Sequence, residues 1–297
     1  MYQAPGPLDA PAAGHHLAAL ARRSRHLRDG VPSALYLLAW AVGVTLVGVL
    51  VGLALAKLAS HQAIGRADTG VARWFAAHRT RDWSTATHLA TVAAETLTIT
   101  ILAVLTFAGS ALAWRRWREP MLVAAAVTGE VVIFVVITLL VDRPRPPVAQ
   151  LDVAPPTSSF PSGHTAAAIA LYGSWAVLAW QHARSASLRW LLTLLAVVVP
   201  IVVGLARIYR GMHYPTDVLA GAALGAAWLA LSVRAVRLGV LHHALRAGRV
   251  ERARVGPRAP PGAVAPWLTR TPARGAAARG GRRWAPRYAG SPWSSTR

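Results

Sequence analysis

What most limits this chain is a series of long runs without charge. Crossing the hydrocarbon core of a bilayer takes roughly 20 mostly apolar residues in a helix. Six such runs follow one another, at about 34–55, 88–114, 121–141, 165–180, 188–205 and 216–233. Inside a bilayer no water satisfies a free backbone N–H or C=O, so each run is expected as a closed helix. The expected fold class is therefore all-α, a polytopic membrane protein with six transmembrane helices. Composition agrees: 54% of the 297 residues are hydrophobic and 14% are charged, where soluble domains carry about 25% charged residues.

Charge is gathered outside these runs. The chain has 32 Lys+Arg against 11 Asp+Glu, a formal charge of +21. From Arg234 to Arg297 there are 14 arginines and one acid, Glu251. A basic chain invites a nucleic-acid reading, but no recognition motif accompanies the charge, and no nucleic-acid partner is expected. The expected partners are membrane lipids, and the sequence leaves the oligomeric state open. Arginines follow the positive-inside rule. Arg22, Arg23, Arg25 and Arg28 precede the first run; Arg115, Arg116 and Arg118 lie between the second and third; Arg184 and Arg189 lie between the fourth and fifth; Arg234 and Arg237 follow the sixth. With six spans these four segments share the cytoplasmic side, and both termini are cytoplasmic. Segments 57–87, 142–164 and 206–215 then face outward.

Three parts are expected: a basic cytoplasmic segment 1–32, a six-span domain 33–237, and a disordered Arg/Pro/Gly-rich tail 238–297 that cannot bury a core. The run at 34–55 is too long for the apolar region of a cleavable signal and reads as a retained span. Trp267, Trp284 and Trp293 would suit a lipid interface. There is no cysteine, which excludes disulfides, thiolate zinc sites and cysteine nucleophiles.

Polar residues concentrate in three outward clusters: Asp142 to Pro147, Ser158 to His164, and Arg207 to His213 followed by Asp217. Their chemistry is restricted. Arginine binds phosphate oxygens through paired, charge-assisted hydrogen bonds. Pro161-Ser162-Gly163 ahead of a helix offers backbone N–H groups to an anion. His213 and Asp217 are four apart, and on a helix they would share a face, so that the carboxylate orients the imidazole. One histidine can attack as a nucleophile while a second acts as general acid. One outward carboxylate beside several arginines is a poor Mg²⁺ or Ca²⁺ site. The set points to phosphoryl transfer with no metal and no cofactor.

Arg145-Pro146, Pro161-Ser162-Gly163-His164 and Arg207-x5-His213-x3-Asp217 resemble the three signature motifs of the type-2 phosphatidic acid phosphatase superfamily. The resemblance covers about residues 90–235. It implies that His213 attacks phosphorus to form a phosphohistidine, that Asp217 orients it, and that His164 protonates the leaving oxygen. It also implies that Ser162, Gly163, Arg145 and Arg207 bind phosphate. The usual lysine of the first motif is replaced by Thr138, with Arg143 the nearest substitute, and the usual serine of the third by Ala206.

Glu130 and Glu95 fall within apolar runs; as hydrogen-bonded groups between helices they are left outside the site. His61, His78 and His182 read as loop residues, and Trp114, Trp180 and Trp190 as interface anchors. The resemblance implies a bacterial inner-membrane hydrolase acting at the outer face on a lipid phosphate or lipid pyrophosphate. Polyprenyl pyrophosphate leads as substrate, ahead of phosphatidate and phosphatidylglycerophosphate. The rival readings are a non-catalytic receptor for lipid head groups, which Thr138 motivates, and a phosphatase of a soluble phosphomonoester.

Overall fold

The computed structural model describes residues 34–58, 62–154 and 156–255, the stretch 240–255 as backbone alone. The chain divides into two compact units, 1–248 and 249–297, and the fold below is that of the first. Among the described residues there are helices and no strands. They run α1 (Ala34–Lys57, ending in the π-helical turn Ala54–Leu58), α2 (Ala63–Ala77), α3 (Arg81–Val92), α4 (Thr96–Trp114), α5 (Arg118–Leu140), α6 (Gly163–His182), α7 (Ala186–Tyr209) and α8 (Pro215–Val255).

Large apolar side chains stand on the outside, which is the pattern for a surface facing lipid and not water. Leu112 is 80% exposed, Leu139 74% and Leu97 70%. Five stretches are long and apolar enough to cross a membrane: Ala34–Lys57, Arg81–Trp114, Arg118–Leu140, Ala186–Tyr209 and Pro215–Gly239. The protein is a multi-pass membrane protein. Helix α6, expected as the fourth span, is not among the five. Its 20 residues reach about 30 Å, but they are rich in Ala, Gly and Ser and face protein on most sides.

Helix α6 is the axis of the bundle. It packs on α5 and α7, while α4 packs on α5 and α6, and α2 and α3 lie against α7. One core joins Leu122, Val123 and Val127 of α5 to Ala168, Leu171 and Leu178 of α6 and Val203 of α7. A second core joins Ile133 and Ile137 of α5 to Phe160, Ala166, and Leu224 and Trp228 of α8, with α1 covering it. The α6–α8 contact depends on two glycines one turn apart, the small-xxx-small spacing that lets membrane helices approach closely. A Cβ on Gly225 would lie 2.6 Å from the Ala166 carbonyl, and one on Gly221 would overlap the Ser162 carbonyl.

Several boundaries differ from the sequence reading. The outward segment 57–87 holds α2 and the first turns of α3, not a simple loop. Helix α2 buries Gly65, Asp68 and Ala72 on one stripe, a helical period without the apolar content of a span. Thr80 caps α3 by accepting from the Trp83 N–H at 3.2 Å. The run expected as one helix over 88–114 breaks at residues 93–95, and Glu95 is the N-cap of α4. Helix α8 continues past the boundary expected at residue 238 to Val255, through a proline-free stretch in which Arg, Ala and Leu are the helix formers. The N-terminal segment, His61 and residues 256–297, with Trp267, Trp284 and Trp293, lie outside the described residues. His182 is the last residue of α6, with Nε2 3.1 Å from Glu119 Oε1, and His78 is the C-cap of α2. Neither is a free loop residue.

Gly225→Ala should lower stability by about 1–3 kcal/mol, the usual effect of forcing a methyl against backbone. Gly70→Ala, whose Cβ would meet nothing within 4 Å, should be neutral or mildly stabilising. Thermal unfolding of both variants in detergent tests the contact.

Candidate active site

The C-terminal ends of α5 and α7 and the N-terminal ends of α4, α6 and α8 meet at one end of the bundle. The loop 141–162 and the turn 210–214 fill the space between them. The turn is sharp because Gly211, at φ +75°, takes the left-handed conformation that closes a helix. A Cβ there would also meet Val148 and the Ala149 carbonyl. The turn delivers His213 to the bundle interior.

His213 is 5% exposed. Its Nδ1 lies 2.6 Å from the Ser159 carbonyl oxygen. A carbonyl only accepts, so Nδ1 carries the hydrogen and Nε2 holds the lone pair. Burial, reinforced by Arg207 and Arg145, pulls this imidazole well below its ordinary pKa. It is neutral at neutral pH, as a nucleophile requires.

His213 lines a cavity of roughly 640 Å³ together with Gly163, His164, Arg145, Arg207 and Thr138. The three outward clusters of the sequence therefore do converge. The first amides of α6 start at this cavity without intrahelical acceptors. Gly163 owes its missing side chain to α5: a Cβ would come within 2.8 Å of the Phe134 ring. Arg145 donates from Nη1 to the Met212 carbonyl at 2.8 Å, which anchors it beside the turn. Arg207 is buried, donates from Nη1 to Asp152 at 3.0 Å, and keeps an unpartnered Nε.

Three expected site residues, two of them phosphate binders and one the orienter of His213, have other partners. The Ser162 hydroxyl is fully buried against Thr165 Oγ1 at 3.0 Å, off the cavity wall. Its N–H donates to the Asp217 carbonyl at 2.9 Å, so its structural part is to join α6 to α8. Arg143 points the other way from the cavity. It forms an ion pair with Asp68 at 2.7 Å, pairs with Asp217, and donates to Thr216 at 2.8 Å. Two carboxylates hold it, so it does not replace the missing lysine. Asp217 does not hydrogen-bond His213, because His213 precedes α8 and is not on it. Its Oδ2 is 3.9 Å from His213 Nδ1 and accepts from the Tyr214 N–H at 2.8 Å. The carboxylate holds the turn, and the Ser159 carbonyl holds the ring.

Four acidic residues stand at this end of the bundle that were not among the expected site residues. Asp68 of α2 pairs with Arg143 and accepts from the backbone and hydroxyl of Thr216. Asp152 pairs with Arg207 and Arg210. Burial works to raise the Asp152 carboxyl, but the two guanidiniums hold it below the ordinary carboxylate range. Glu95 and Glu130, left outside the site above, both line the cavity, and the buried Glu130 oxygens have no hydrogen-bond partner. The signal for Glu130 and Glu95 was their place in apolar runs, where a carboxylate is costly. No spacing pattern marked Asp68 or Asp152.

Residues 119–239 match the sequence model of the PAP2 superfamily. Phosphatidylglycerophosphatase B of Bacillus subtilis is 37% identical over 86 residues, 29% of this chain, and the match spans 42% of that protein's length. A crystal structure of a transmembrane PAP2-type phosphatidylglycerolphosphate phosphatase from Bacillus subtilis aligns with a TM-score of 0.56. That alignment has 25% identity and covers 65% of this chain and 94% of the other. A crystal structure of Aquifex aeolicus LpxE aligns with a TM-score of 0.43 and 23% identity over 57% of this chain and 95% of that one. The matched stretch, residues 119–239, carries the parts of α5 to α8 whose ends converge on the site, and over that stretch the chain is similar to the PAP2 superfamily.

Proposed function

We propose that the protein is an integral-membrane phosphatase that hydrolyses a lipid phosphate or lipid pyrophosphate through a phosphohistidine, without a metal. One observation carries this reading. The cavity holding His213, His164, Arg145 and Arg207 continues between α4 and α5 to Val131, Val135 and Leu139, which also stand on the outer, lipid-facing surface. A phosphate at the polar end can thus keep its chain in the bilayer. The names of the similar proteins from Bacillus subtilis agree with a lipid phosphate as substrate.

His213 Nε2 attacks phosphorus in line, forming an N–P bond as the ester P–O bond breaks. Arg145, Arg207 and the first amides of α6 take the charge on the equatorial oxygens. His164 gives its proton to the departing oxygen. Water then attacks phosphorus, its proton passes to His164, and the N–P bond breaks to release phosphate and neutral His213. Asp217 and Ser162 serve as positioning residues. In this arrangement α6 is the fourth of six spans, the site faces outward from a bacterial inner membrane, and both termini are cytoplasmic.

Purified protein in detergent with EDTA should release phosphate from phosphatidate or polyprenyl pyrophosphate. His213→Ala should abolish release, and His164→Ala should slow it by a factor of about 10²–10⁴. Truncating the chain of the substrate should lower kcat/KM, as expected where binding away from phosphorus aids catalysis. Equal activity on a short soluble phosphomonoester would count against a lipid substrate.

The pH dependence follows from His213. Its pKa is depressed, so the basic form persists as pH falls through the ordinary imidazole range. The acid limb of kcat/KM assigned to the nucleophile should therefore lie well below pH 6.5. Arg145→Ala removes one of the charges that depress it, and the limb should move upward in that variant.

A further inference from the structure

The cavity wall has an unexpected charge balance for a phosphate site. Two cations line it, Arg145 and Arg207, with three acidic side chains, Glu95, Glu130 and Asp152, of which Glu130 is buried without a partner and does not count as a charge. The position where a further cation is usual is the uncharged Thr138, which also lines the wall. Asp152 sits among the phosphate-binding groups themselves. Its Oδ2 accepts from Arg207 Nη1 at 3.0 Å and from Arg210 Nε at 2.7 Å, and its Oδ1 accepts from Arg210 Nη2.

This carboxylate is fixed and not a loose side chain. Arg210, which grips it, also donates to the Ser84 carbonyl at 3.0 Å and accepts at its own carbonyl from the Leu151 N–H at 3.0 Å. Arg79 ties the same loop down by donating to the Ala149 carbonyl at 2.7 Å and to the Tyr209 carbonyl. Substrate therefore meets Arg207 with Asp152 already in place. A bound anion gains from the two arginines and loses to Asp152, and the loss grows with each added negative charge on the ligand.

We propose that Asp152, together with the uncharged Thr138, makes the cavity select a terminal phosphomonoester over the pyrophosphate of the same lipid. The two ligands share their chain and the attacked terminal phosphoryl group; in the pyrophosphate the departing group is the lipid phosphate and not the lipid alkoxide, which puts about one further unit of negative charge on the leaving side. Asp152 is thus a specificity-determining residue, acting through Arg207 and through the field in the cavity. The proposal rests on the phosphatase reading above and names the substrate class of that same site.

The experiment compares polyprenyl monophosphate with polyprenyl pyrophosphate of equal chain length, on the full chain in detergent with EDTA. Wild-type protein should favour the monophosphate in kcat/KM. Asp152→Asn should raise the pyrophosphate-to-monophosphate ratio roughly tenfold, mainly through KM, as expected for one unit charge a few ångströms from the ligand in a partly screened site. Asp152→Glu should restore the native ratio. Thr138→Lys adds charge on a different wall and leaves the Asp152 network intact, so it should move the ratio in the same direction. Parallel loss on both substrates in Asp152→Asn would show that Asp152 only orients Arg207, and would overturn the proposal. An unchanged ratio in Thr138→Lys would also overturn it. No release from either substrate by folded wild-type protein would instead remove the phosphatase reading, and the selectivity proposal with it.

Discussion

A single guanidinium holds the site end of the bundle together. Arg143 lies buried between Asp68 of α2 and Asp217 of α8, with its ring neighbour Tyr214 4.5 Å beneath it. Its backbone binds the loop as well, its carbonyl accepting from the Ser159 N–H at 2.9 Å. Four segments distant in sequence meet at this one charge. Buried ion pairs contribute little net stability, but removing one partner leaves an uncompensated charge that costs several kcal/mol. The arrangement is consequently hard to deform. That rigidity is what a site needs when its reacting groups come from a loop, a turn and the starts of two helices.

The consequence for chemistry passes through Ser159 and Asp217. With Arg143 fixing both, the Ser159 carbonyl takes the His213 Nδ1 hydrogen, and Asp217 takes the Tyr214 N–H. The ring is oriented by a neutral acceptor and not by a carboxylate. A carboxylate at hydrogen-bond distance would favour the imidazolium, whereas burial and two nearby arginines favour the neutral ring. The site thus keeps its nucleophile uncharged beside the cations that bind phosphate.

Much of this was legible in the chain. The apolar runs placed the helices, and three polar clusters at alternate helix ends placed His164, Arg145, Arg207 and His213 on one face. The sequence was weaker where a partner lies far away along the chain. Asp68 sits in a short amphipathic helix, and its pairing with Arg143 spans 75 residues, which no local spacing reveals. Arg143 looked available for phosphate because Asp68 was not in view. Asp152 lies in a Pro-rich loop without periodicity. Glu95 read as mid-span because the run around it was apolar throughout, although the chain breaks there to start α4. Asp217 was four residues from His213 as expected, but Pro215 begins the helix after the histidine, and the shared helical face never forms.

The most direct measurement is the position of the phosphoryl group on a trapped intermediate. Protein mixed with a lipid phosphate in EDTA, quenched in alkali and digested, should carry phosphate on His213 at Nε2. Nδ1 is occupied by its hydrogen bond to Ser159, so the Nδ1 isomer should be absent. Phosphate on His213 Nδ1, on another residue, or on no residue during steady turnover would contradict the account.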